Sequence, residues 1–141
     1  MAWRMPGNLS AMNERYDRGM ARLAELGGPT AARHRVYDAL ADIAPDLSRL
    51  AIEFAYGDIN ARPGLDAGRR ELVILGILIG LGSAEPQLEA HLNTALNVGV
   101  PPSELVEAVI QAVPYAGFPR TLAAMAITRN VFATRNLLPT N

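Results

Sequence analysis

Proline and glycine cut this chain into helix-length pieces, and almost nothing between the cuts alternates with period two. That punctuation predicts an all-α fold: a bundle of about seven helices in a single domain spanning 1–141, with residues 1–8 as an N-terminal arm. NLSAMNERYDRGMARLAELGG offers Asn8 or Ser10 as an N-cap and Gly27 as a stop, with Tyr16, Met20, Leu23 and Ala24 at helical spacing. Thr30 caps a second helix carrying Val36, Leu40 and Ile43. A third starts at Pro45, with Leu47, Leu50, Phe54 and Ile59 facing inward. In the loop ARPGLDAG, Asp66 is placed to cap the fourth helix, Ala67 to Leu81. That helix is apolar all round beyond Glu71, the pattern of a central helix. Ser83 to Gly99 makes a fifth, and Pro102 to Ala112 a sixth that Pro114 stops. Pro119 opens a seventh carrying Leu122, Met125, Ala126 and Val131. Within YAGFP (Tyr115 to Pro119), Gly117 and Pro119 make a tight corner with an aromatic plug.

Half of the residues are apolar but only 6% are aromatic, so the core is aliphatic and suits close helix packing. A net charge of −1 gives no electrostatic case for a nucleic-acid partner. The longest apolar run, Leu72 to Leu81, is about half of the ~20 residues a membrane span needs. The N-terminus lacks the pattern of a signal peptide. A cytoplasmic protein with no membrane partner is expected. All 13 basic residues are arginine, so no lysine is available for a Schiff base. With no cysteine, disulfides, thiolate nucleophiles and sulfur-ligated metals are excluded.

Two residues stand out against this aliphatic background. His91 lies in SAEPQLEAHLNTALNVGV, at the edge of an arc formed by Leu88, Leu92, Ala95 and Leu96, opposite the wet side of Glu89, Asn93 and Asn97. Three roles are open to it: a core histidine satisfied by one hydrogen bond, a metal ligand, or an acid/base group facing a cavity. The metal reading is the weakest, because His34 belongs to another helix and no HxxxH or HExxH pair exists. Glu71 lies one turn into the fourth helix. It is either a helix-start carboxylate paired with a nearby arginine or a buried acid; the helix N-terminus favours its anion and burial opposes it.

The order of motifs FAYGDINARPGLDAGRREL, an apolar helix ending in LG, EPQLEAHLNTALNVG and ELVEAVIQAVPYAGFP resembles the carboxymuconolactone decarboxylase family, from about Phe54 to about Phe132. The family is all-helical and has two biochemical branches. One is a cofactor-free decarboxylase of 4-carboxymuconolactone; the other is the alkylhydroperoxidase D type, which relays protons among a Glu, a CxxC pair and a His. Laid on that pattern, Glu71 matches the relay glutamate and His91 the histidine. The two cysteines fall at about Ala84 and Gln87, so the acid/base residues are kept and the redox pair is absent. The resemblance thus implies a cofactor-free carboxy-lyase acting on a small carboxylate, with no metal and with a homo-oligomeric assembly, a trimer or hexamer. His91 and Glu71 would be catalytic, and Arg62, Arg69, Arg70, Arg120, Tyr115 and Gln87 are candidates to bind substrate. Another cofactor-free lyase or isomerase of a small acid, or a non-catalytic ligand-binding scaffold, are the rival readings.

Thiol-dependent peroxidase chemistry needs a thiolate to attack the peroxide and a second thiol to resolve it. Hydroperoxide turnover with a thiol reductant in metal-free buffer is therefore expected not to exceed that of heat-inactivated protein; turnover above that control would overturn the reading.

Overall fold

The computed structural model describes residues 9–27 and 39–139. Among them there is no strand, and six helices exceed one turn. These are α1 (Leu9–Glu25), α2 (an α-helical Pro45–Leu50 running on into a π-helix, Ala51–Asn60), α3 (Ala67–Leu81), α4 (Glu85–Asn97), α5 (Pro102–Gln111) and α6 (Phe118–Thr134). Six are therefore found among the described residues, against about seven expected of the whole chain. The helix expected from Thr30 falls outside the described residues except for 39–43, which form a turn. The residue 1–8 arm, Asn8 and His34 also lie outside them.

Several boundaries follow the local signals. Gly27, Gly99 and Gly117 adopt positive φ just beyond or before a helix. Asp66 caps α3, its side chain accepting from the Arg69 N–H at 2.9 Å. α5 closes at Gln111 with Ala112 as its C-cap, just before Pro114 as expected, and Pro114 itself sits at the start of a separate single turn, Val113–Ala116.

Two packed clusters result. The larger joins Leu75 and Ile79 of α3, Leu88, Leu92 and Ala95 of α4, Leu105 and Val109 of α5, and Ala124, Val131 and Phe132 of α6. The smaller joins Leu23 and Leu26 of the α1 end to Ile52 and Tyr56 of α2. Val98 packs against both. The Thr94, Thr121 and Thr128 hydroxyls are buried among these helices and donate to the carbonyls of Ala90, Gly117 and Ala124, four residues back.

In α2 the inward face differs from the expected one. Leu47, Leu50, Phe54 and Ile59 are exposed, whereas Ile52, Glu53, Tyr56, Gly57 and Asn60 are buried. From Ala51 on the chain winds as a π-helix, and at its end Ala61 donates to the Tyr56 carbonyl five residues back at 3.0 Å. The wider turn puts residues four apart in line and brings 52, 56 and 60 onto α1. Glycine permits the close approach: a Cβ at Gly19 would lie 2.2 Å from the Ile52 carbonyl oxygen, and one at Gly57 2.4 Å from that of Arg15.

Ion pairs close the same seam. Glu53, 1% exposed, accepts from Arg49 Nε at 2.6 Å, and Arg49 stands over the Tyr16 ring at 5.2 Å. Arg15 and Arg18 converge on Asp58.

Elsewhere, α3 is not covered all round: Val73, Ile77 and Leu81, four apart, are exposed. Tyr115 and Phe118 also point outward, so the corner is made by Gly117 without an aromatic plug. On α6 the buried positions are Thr121, Ala124, Thr128, Val131 and Phe132, with Leu122 exposed.

The hydrogen bond from Arg15 holds the Asp58 carboxyl below its ordinary value. An acid whose folded pKa is depressed contributes stability above its unfolded pKa and loses it as pH falls through the folded one. Asp58→Asn is expected to melt below the parent protein at neutral pH. The gap should close as pH drops below the usual carboxylate range. A gap that stays constant into strong acid would show that Asp58 does not act through its charge.

Candidate functional site

Glu71 is the fifth residue beyond the Asp66 cap and faces α4 from inside the bundle with no exposed surface. His91 stands near the middle of α4, beside the arc of Leu88, Leu92 and Ala95 that packs into the larger cluster. Their side chains meet: His91 Nδ1 lies 2.7 Å from Glu71 Oε2. A carboxylate there can only accept, so the proton between them resides on Nδ1, which leaves Nε2 as the working nitrogen. The His91 side chain keeps 15% of its surface open, against 0% for Glu71. Glu71 Oε1 is buried and has no hydrogen-bond partner among the described residues. The arginine pairing considered for Glu71 is not what the fold makes.

His91 borders a cavity of about 470 Å3 between the π-helical part of α2 and the outer side of α3. Its apolar wall includes Phe54, Ile59, Leu65, Val73, Ile74 and Ile77, and its polar groups come from Arg70, Asn60, Tyr56 and His91. Such a chamber, mostly apolar with a few convergent polar groups, is the usual form of a small-molecule site. Arg70 is fixed in place: Nε donates to the Leu65 carbonyl at 3.1 Å and Nη2 to that of Arg62. Its Nη1 makes no hydrogen bond among the described residues and remains for an anion.

Of the residues singled out in the sequence, the fold brings His91, Glu71 and Arg70 together and disperses the rest. Arg62 is exposed and contributes only its carbonyl, to Arg70. Arg69 points to solvent and pairs with Asp66 at 3.2 Å. Arg120 donates to the Gly80 carbonyl at 2.7 Å and lines a different cavity beside Gly82 and Ala84. Gln87 is exposed on α4. Tyr115 is 87% exposed and borders a groove with Leu72 and Gly76, away from His91. Asn60 and Tyr56 were missed. The signal for them is their spacing of four with Ile52, which places all three on one helix face. Among the described residues no group of three or more His, Asp or Glu side chains is placed to hold a metal ion, and no helix is long and apolar enough to cross a membrane.

The sequence pattern of the carboxymuconolactone decarboxylase family matches residues 45–130, which span α2 to most of α6. The chain is 33% identical over 126 residues to a 4-carboxymuconolactone decarboxylase of Acinetobacter baylyi, covering 89% of this chain and 92% of that protein. It is 41% identical over 80 residues to a nitrosuccinic acid decarboxylase of Metarhizium robertsii, covering 57% of this chain and 55% of that one. An uncharacterized 15.0 kDa protein of Paracoccus denitrificans is 31% identical over 104 residues, covering 73% of this chain and 78% of that protein. With the family pattern matched over residues 45–130 and a 4-carboxymuconolactone decarboxylase 33% identical over most of both chains, the chain belongs to the carboxymuconolactone decarboxylase family.

Proposed function

We propose that this protein decarboxylates a small unsaturated or activated acid without a metal or prosthetic group, using His91 as the proton donor. The observation that carries the reading is the 2.7 Å bond between His91 Nδ1 and Glu71 Oε2 at the edge of a cavity that also holds Arg70. A core histidine kept only for packing has no need of a chamber beside its second nitrogen.

The two named decarboxylase relatives point to one chemistry. One acts on a lactone bearing carboxyl groups and the other on a nitro acid. In each acid the carbon losing CO2 is conjugated to, or directly bears, a group whose oxygen can take an electron pair. The C–C bond to the carboxylate breaks, CO2 leaves, and the pair spreads onto that oxygen. His91, as imidazolium, then passes its Nε2 proton to carbon as the pair returns. One proton is consumed for each CO2 released. Glu71 stabilises the imidazolium and holds the ring so that Nε2 faces the cavity. Arg70 holds a retained carboxylate through its unused N–H groups. The apolar wall offers the departing carboxylate no hydrogen-bond donor. The relative covering 92% of its own length makes 4-carboxymuconolactone the first substrate to test.

Loss of the lactone's ultraviolet absorbance, with CO2 release, measures the activity. His91→Ala and His91→Gln are expected to lower it by roughly 10²–10⁴, the reach of a positioned acid/base group. Glu71→Gln should cost less, because it still accepts from Nδ1 while losing its charge. Thermal melting of each variant accompanies the assay. Wild-type rates in a folded His91→Ala protein would end the proton-donor role.

We also propose a homo-oligomer, a trimer or hexamer. Support comes from the exposed apolar ridge of Val73, Ile77 and Leu81 on α3, and from Leu47, Leu50 and Phe54, which are exposed on α2. Light scattering is expected to give a multiple of the 15.1 kDa chain mass. A single-chain mass at micromolar concentration would refute it.

A further inference from the structure

Asn60 lines the cavity with 6% of its surface exposed, and the chemistry above gives it no task. Its Oδ1 accepts from Arg22 Nε at 2.8 Å, across from α1. Arg22 is itself held, its Nη1 donating to Glu25 Oε2 at 2.7 Å. A guanidinium only donates, so the acceptor end of the Asn60 amide must face Arg22. What remains for the cavity is Nδ2. The Asn60 side chain makes no second hydrogen bond among the described residues. Nδ2 is not sealed from solvent, so its N–H2 stays open to an acceptor that enters the cavity. A donor locked from behind, in a chamber with mostly apolar walls, is the arrangement that stabilises a developing oxyanion.

We infer that Asn60 is the oxygen-binding residue of the site: Nδ2 donates to the oxygen on which charge collects as CO2 leaves. Arg22 is the positioning residue that keeps the amide this way round. The inference rests on the decarboxylase reading and narrows it. The acids accepted are those whose electron sink is an oxygen next to the reacting carbon or conjugated with it, as in a lactone, nitro or keto group.

The test uses two readouts on the full chain. The first is turnover of 4-carboxymuconolactone and nitrosuccinate. The second is calorimetric binding of the nitronate of 3-nitropropanoate, which is nitrosuccinate less CO2 with the charge still on the nitro oxygens. Its affinity is compared with that of 3-nitropropanoate in the nitro form. Asn60→Asp keeps an oxygen for Arg22 but exchanges the donors for a second acceptor. It should melt no lower than the parent protein. Its kcat should fall by roughly 10²–10³, as for loss of one oxyanion donor, with KM changing far less. Its preference for the nitronate should fall by about tenfold or more. Arg22→Met should lower kcat by a smaller factor, and Arg22→Lys, which restores a donor, should recover most of it.

An Asn60→Asp protein that keeps both kcat and nitronate preference within about threefold overturns the assignment. Equal activity of Arg22→Met and Arg22→Lys overturns the positioning role. The decarboxylase reading fails separately. If the wild type turns over neither acid but prefers the nitronate through Asn60, that reading falls and the oxyanion donor stands. If the wild type shows neither turnover nor preference, both fall.

Discussion

A carboxylate with no exposed surface is tolerated in a helical core only where something answers its charge. Glu71 has one such answer, the 2.7 Å bond from His91, and leaves its other oxygen bare. The arrangement depends on the phase of two helices. Asp66 fixes where α3 begins and hence which way Glu71 points. Leu75 and Ile79, one and two turns further on, lock α3 against Leu88 and Leu92 of α4. A shift in either helix would bury the carboxylate alone. Packing and site chemistry are therefore one constraint: the same registry that fills the core turns the imidazole outward into the cavity.

The cavity takes its character from what surrounds that pair. Apolar side chains from α2 and α3 form most of its wall, and among the described residues one arginine lines it. A lone guanidinium in such surroundings holds one anionic group firmly and leaves any other in a poorly solvated place. This asymmetry suits an acid that must keep one end and lose the other.

Much of this was legible from local chemistry, and the exceptions share a cause. The Asp66 cap, the arc of Leu88, Leu92 and Ala95, and the partnership of Glu71 with His91 all follow from neighbours in sequence or from the family resemblance. Arg70 was one of four arginine candidates; it differs from Arg69 only in aiming back at the carbonyls of Leu65 and Arg62, and no spacing rule reveals that. Phe54 and Ile59 were assigned inward because an α-helical period was assumed where the chain winds as a π-helix. Asn60 was invisible for a stronger reason: its orientation is set by Arg22, 38 residues away. Tyr115 and Arg120 were gathered with the others because the YAGFP motif is distinctive, but a distinctive corner can be distinctive for its backbone.

Val98, which touches both clusters, has a mechanical meaning. Asn60 and Tyr56 ride on the smaller packed unit, while Arg70 and His91 ride on the larger. The cavity therefore draws its lining from elements anchored in two packed clusters that share Val98. A change of side-chain volume at Val98 would be felt by both clusters at once, although Val98 does not line the cavity itself.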